Sequence, residues 1–223
     1  LKIMEFQLEG KPSFAYIHVD ISPGETFIAE SDAMASMSSD LDMKAKLNGG
    51  LLKGLLRKYL GGESLFINEF ANNGSENMKL TLTQSTPGDI IQKELNGDSY
   101  FLQPGAYICS TPGINVSIQW AGIMSWIGGE GLFRLKISGT GTVFFGAYGS
   151  LKEKDIDGEY IVDTSHLVAY EPNMKLKQQL SGSLISSLTS GEGLVTRVEG
   201  KGKIVIQTRS VSGLTSWLNR YLY

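Results

Sequence analysis

Apolar and polar residues alternate along much of this chain with the two-residue period of a half-buried strand. The pattern is clear in Phe14–Val19, in Val116–Gln119 and in Leu132–Ser138. Each stretch is expected to form a strand with one face in a core. Thr142–Phe145 and Lys203–Ile206 are short β-branched or aromatic runs that follow Gly-x-Gly. That order predicts the second strand of a hairpin. Turn signals at spacings of roughly 8 to 12 residues point to a sandwich or barrel. Two stretches switch to the helical period. Leu214, Trp217, Leu218, Tyr221 and Leu222 fall at i, i+3, i+4, i+7 and i+8. With Ser212 as N-cap, they predict a short helix over 212–223 that docks on the sheets. Leu51–Leu60 is the second helical stretch.

The chain also repeats itself. GGESLF at 61–66 returns as GGEGLF at 128–133 and as SGEGLV at 190–195. The aligned glycines Gly62, Gly129 and Gly191 recur about every 65 residues. Each is followed by a glutamate: Glu63, Glu130 and Glu192. Upstream anchors read Gly24-Glu25, Gly97-Asp98 and Gly158-Glu159. Small or apolar pairs follow them at Ala33-Met34, Ala106-Tyr107 and Leu167-Val168. Downstream, Ser138–Phe145 matches Glu199–Ile206, and Asn73-Gly74 leads into Met78–Leu82. Three anchors in the same order, three times, predict three diverged copies of one β unit. The expected divisions are 1–83, 84–148, 149–211 and a C-terminal helix over 212–223.

GGESLF and GGEGLFRLKISGTGTVFF, with the lead-in GLLKGLLRKYL, resemble the altered-inheritance-of-mitochondria protein family over roughly residues 3 to 220. Members of that family are similar in fold to the tryptophan RNA-binding attenuation protein. The resemblance therefore implies an all-β chain of three fused β-sandwich or short double-stranded β-helix repeats in a pseudo-threefold arrangement. It brings no catalytic residues with it.

Composition narrows the function. The 223 residues carry 27 glycines, 41% apolar residues and a net charge of −3. A core is affordable, tight turns are many, and no global field attracts nucleic acid. The stacking aromatics and basic stripe of single-strand binders are missing, so no nucleic-acid partner is expected despite the fold resemblance. The lone Cys109 excludes an intramolecular disulfide and suits a reducing, cytoplasmic setting. No apolar run reaches membrane-spanning length, and the chain opens at Leu1 without a signal-peptide pattern.

Gly62, Gly129 and Gly191 are expected as turn glycines, with Glu63, Glu130 and Glu192 accepting hydrogen bonds from their own turns. The other reading of the glutamates, convergence on a cation, needs further oxygen ligands, and none is visible. Leu51, Leu52, Leu55, Leu56 and Leu60 share a helical face beside Tyr59, with Lys53, Arg57 and Lys58 outside it. Trp120, Ile123, Met124, Trp126 and Ile127 form the corresponding apolar run. Both are candidate interfaces, facing a second subunit, a partner protein or an anionic membrane surface. His18 and His166 lie far apart in sequence and no nucleophile motif accompanies either. No catalytic residue, metal ligand or cofactor is expected. The reading is a non-enzymatic binding or scaffold protein that forms a homo-oligomer, trimer or higher. The alternative is a small-molecule- or metal-binding enzyme using a pocket between repeats.

Overall fold

The structure, a computed structural model, describes residues 4–47, 66–120, 133–180 and 194–222. The described chain is almost entirely β. Seven strands come first: β1 (Glu5–Glu9), β2 (Tyr16–Ile21), β3 (Thr26–Glu30), β4 (Met34–Met37), β5 (Asp42–Leu47), β6 (Phe66–Ala71) and β7 (Met78–Thr83). Then come β8 (Ile90–Leu102), β9 (Tyr107–Ser110), β10 (Ile114–Trp120) and β11 (Phe133–Gly146). The last set is β12 (Leu151–Asp163), a 3₁₀ turn (Thr164–His166), β13 (Leu167–Tyr170), β14 (Lys175–Leu180) and β15 (Leu194–Gln207). Among the described residues one α-helix, α1 (Val211–Leu218), follows β15. One sheet runs β1-β2-β7-β4. The other runs β12-β15-β13-β8-β11-β9-β3-β6-β5, with β10 also on β11 and β14 also on β15.

One pairing scheme accounts for most of this. A long strand pairs antiparallel with a later long strand, β8 with β11 and β12 with β15. Between them in sequence lie a short strand and a flanking strand, and both pair with the second long strand: β9 and β10 with β11, β13 and β14 with β15. In residues 16–83 the scheme is the same, but each long strand is broken in two. β2 and β3 pair with β7 and β6, β4 pairs with β7, and β5 with β6. All three short strands carry one extra residue against their partner: Ala35, Ile108 and Val168. Such a bulge bends the strand where it leaves its own set. The residue before the bulge is therefore Leu167, not Val168, in the place that Tyr107 and Met34 take in the other two sets.

The alternation read from sequence maps onto these strands with adjustments. Val116–Gln119 lies inside β10, and Phe133–Ser138 of the third run begins β11. Phe14 precedes β2 and is 73% exposed. The runs after Gly-x-Gly are not second strands of hairpins: Thr142–Phe145 and Lys203–Ile206 are the ends of the unbroken β11 and β15.

The sets are joined by strand pairing rather than by linkers. β9 lies beside β3, with Ile28 opposite Ser110 and Ala29 opposite Cys109. β13 lies beside β8, with Phe101 opposite Tyr170 and Leu102 opposite Ala169. At the second joint the Phe101 and Tyr170 rings stack at 5.1 Å, and Arg134 Nη1 donates to Tyr170 Oη at 2.6 Å. Wedged between two sets, β9 and β13 are buried along their whole length. Three apolar clusters fill the interior. Ile17, Phe27, Phe70, Leu82 and Phe144 belong to the first, Leu102, Tyr107, Ile137 and Phe145 to the second, Ile156, Val198 and Ile204 to the third.

α1 departs from expectation. Its N-cap is Ser210, whose Oγ accepts from Gly213 N, and not Ser212. It was expected to dock on the sheets, but none of its residues is buried.

Candidate functional site

The sequence-derived candidates lie outside the described residues: the turn positions Gly62, Glu63, Gly129, Glu130, Gly191 and Glu192, the lead-in Leu51–Leu60, and Ile123, Met124, Trp126 and Ile127. The backbone of Trp120 ends β10. The upstream anchors are described, and Gly24, Gly97 and Gly158 take positive φ angles of 79°, 88° and 111°, which only glycine adopts at little cost.

The histidines and the cysteine are occupied structurally. His18 Nδ1 shares a hydrogen bond with Thr81 Oγ1 at 2.9 Å. His166 Nδ1 donates to the Gln207 carbonyl at 2.7 Å. Cys109 is fully buried on β9, and burial pushes its thiol well above the ordinary range. Next to it in sequence, Ile108 and Tyr107 are buried too, and burial likewise raises the Tyr107 phenol. A thiol held neutral is a poor nucleophile. Native protein at about pH 8 is expected to react with a thiol reagent far more slowly than protein in denaturant. Because the folded state holds the proton, the stability contributed is intact below about pH 8.5 and is lost as pH climbs towards the raised folded value. Thermal melts across that range, with Cys109→Ala as control, check the sign.

A cleft that draws on all three strand sets has a volume of about 390 Å³. Its walls are the turn after β3 (Glu30–Ala33), the turn after β8 (Gln103–Gly105), the segment after β7 (Gln84–Thr86), and Tyr148, Gln207 and Val211. Two glutamines brace it. Gln84 Nε2 donates to the Ala147 carbonyl at 3.1 Å. Its side chain crosses Gly146 so closely that a Cβ there would lie 1.9 Å from Gln84 Oε1. Gln207 Oε1 accepts from Tyr148 N at 3.1 Å, while its Nε2 donates to the Ser165 carbonyl at 2.7 Å. The chain reversals above them match: Ala33 N donates to Glu30 O and Ala106 N to Gln103 O, both at 3.3 Å. At the third position of these turns stand Asp32 (φ 69°) and Gly105 (φ 77°), the left-handed position of a type II turn. Sequence reading passed over this cleft. Its one legible signal was an aspartate, Asp32, at the turn position that Gly105 takes in the next strand set.

Glu30 and Asp32 are the charged residues in the wall. Both glutamines are committed to backbone groups. Among the described residues no group of three or more metal-ligating side chains occurs, and no helix is long and apolar enough to cross a membrane.

The fold and these sites define an all-β protein whose strand sets are pinned together by short buried strands. The chain matches the model of the family described as Mitochondrial biogenesis AIM24 over residues 6–209, and it belongs to that family. The Gly-Gly-Glu phrases and their lead-ins had pointed there. The chain is 28% identical over 228 residues to an uncharacterised protein of Streptococcus pyogenes serotype M6, covering 98% of this chain and 91% of that one. It is also similar to a structural-genomics crystal structure of a Streptococcus pyogenes protein, with a TM-score of 0.80 at 28% identity, covering 99% of this chain and 100% of that chain.

Proposed function

We propose that this protein is a non-enzymatic scaffold or binding module that works as an assembly of identical chains. The observation that carries the reading is large apolar side chains left in solvent. On and after α1, Val211, Leu214, Trp217, Leu218, Tyr221 and Leu222 are all exposed, Trp217 at 54% and Tyr221 at 71%. At the end of β12, Tyr160 and Ile161 are exposed as well. Clustered groups of this kind mark surfaces that another molecule covers. The engagement of both histidines, the burial of Cys109 and the committed glutamines of the cleft favour a structural over a catalytic use of the described polar groups.

Light scattering across a concentration series tests the reading. A mass of more than one chain is expected at tens of micromolar, reduced by the triple change Leu214→Ser, Trp217→Ser, Leu218→Ser. A strict monomer throughout would sink it. In the same reading a membrane partner requires flotation with anionic vesicles that is lost on Lys53, Arg57 and Lys58→Glu.

A further inference from the structure

We infer that β4 of one copy pairs antiparallel with the end of β12 of the next, Met37 opposite Ile161 and Ser36 opposite Val162. The inference rests on the self-association reading above and adds to the apolar face of α1 a second surface through which it acts.

The chain uses one joint twice. The two residues after the bulge in a short strand pair with the outer edge of the long strand in the preceding set: Cys109 and Ser110 with Ala29 and Ile28, Ala169 and Tyr170 with Leu102 and Phe101. The bulges align Ser36-Met37 with Cys109-Ser110 and Ala169-Tyr170. The long-strand pairings align Ile161-Val162 with Phe101-Leu102, because Arg197 and Lys136 are matched positions of β15 and β11. The first set has thus a short strand with no preceding set, and the third a long strand with no following one. Each of these two strands ends its sheet, β4 the four-stranded one and β12 the larger one.

Burial agrees. β9 and β13 are buried at all four positions, whereas Ala35 and Ser36 of β4 are exposed and Met34 and Met37 half-buried. Ile161 is 52% exposed, while its counterparts Phe101 and Ile28 are partly covered. Backbone groups point the right way. Ser38 N donates to Lys79 O, so alternation turns the Met37 N–H and C=O away from β7 and towards a newcomer. An open strand edge is a template for pairing with another chain, and the side chains brought opposite one another are both apolar, as Phe101 and Tyr170 are at the existing joint. The contact is heterologous, one end meeting the other, so assemblies grow head to tail and close only where the rotation allows.

Two chains, each with one added cysteine, test this: Met37→Cys and Ile161→Cys. The native Cys109 is buried and stays silent. Directly opposed strand residues have Cα atoms about 5.5 Å apart, within disulfide range. Mixed and treated with oxidised glutathione, which takes up the two electrons and two protons as reduced glutathione, the pair should shift from the one-chain to the two-chain band on a non-reducing gel. Met37→Cys mixed with Met43→Cys, an exposed residue of β5, should not exceed background. Far-ultraviolet circular dichroism confirms that each variant is folded before it is scored. Assembly of the parent chain without the Met37–Ile161 cross-link overturns this joint and leaves the scaffold reading standing. A double variant that closes within single chains at high dilution overturns it as well, because the two edges then meet inside one molecule. A parent chain that never assembles removes both.

Discussion

Replacing Phe144 by alanine is expected to cost about 3–5 kcal/mol of folding stability. Phe144 is completely buried near the end of β11. Its ring meets Phe6 edge-on at 5.1 Å, and Phe6 in turn lies 5.7 Å from Phe27. The backbone around it is held from both sides, with Phe144 opposite Gln92 of β8 and Cys109 of β9. A strand clamped in this way moves little, so the space left by the ring stays open rather than being filled. Domains have a total stability of about 5–15 kcal/mol, so the loss is a large share of the whole. Denaturant titration measures it. A loss below about 1 kcal/mol would mean that Phe6 and Phe27 collapse into the gap.

Asn72→Leu is the second large effect, expected at about 3 kcal/mol, because it strips the partner from three backbone groups at once, the carbonyl of buried Ile21 among them. Asn72 sits where the first strand set breaks its two long strands, and it is fully buried. Its Nδ2 donates to the carbonyls of Ile21 at 2.7 Å and Glu76 at 2.8 Å, and its Oδ1 accepts from Gly74 N at 2.9 Å. Its own backbone carries the ladder across the break, Asn72 N to Glu25 O at 3.0 Å and Gly24 N to Asn72 O at 2.8 Å. One side chain thus replaces the strand hydrogen bonds that β8–β11 and β12–β15 keep running continuously. Leucine keeps the branching at Cγ, is larger, and makes none of the side chain's bonds. The exposed neighbour change Asn73→Ala is the control and should stay within about 0.5 kcal/mol. Equal effects at both positions in urea titrations would contradict this account.

Much of the fold was legible because alternation and turn chemistry are local. Val116–Gln119 and Phe133–Ser138 announce strands on their own, and both runs lie in strands, β10 and β11. The misreading of Gly-x-Gly has a physical cause. Gly139 and Gly141, like Gly200 and Gly202, look like chain reversals. They are instead places where a neighbouring turn passes over a continuous strand. A Cβ on Gly139 would lie 2.2 Å from Gly113 O, and one on Gly202 would meet Glu171 Oε2 at 2.6 Å and Met174 Sδ at 2.9 Å. Glycine inside a strand marks close approach as readily as a turn, and only the partner segment tells which. The helical period of Leu214, Trp217 and Leu218 was correct, but a period says that a face is apolar, not what lies against it. The joints escaped for a related reason. Tyr107–Ser110 and Leu167–Tyr170 are too short to show a period, and their full burial comes from a set that is distant in sequence. The cleft was harder still, since Gln84 and Gln207 act through contacts made across about 60 residues, with nothing local to mark them.

Phe144 and Phe145 are neighbours in the chain, yet the first belongs to one core and the second to the next. Ile67 of β6 likewise packs on the second cluster, and Phe101 of β8 on the third. Adjacent regions of the molecule are therefore built like overlapping shingles, not like beads. The boundaries at 83/84 and 148/149 divide the sequence, but they are not places where the protein can be cut. A fragment starting after either one would leave a buried short strand, β9 or β13, without the long strand that covers it, and the strand sets share one fate on unfolding.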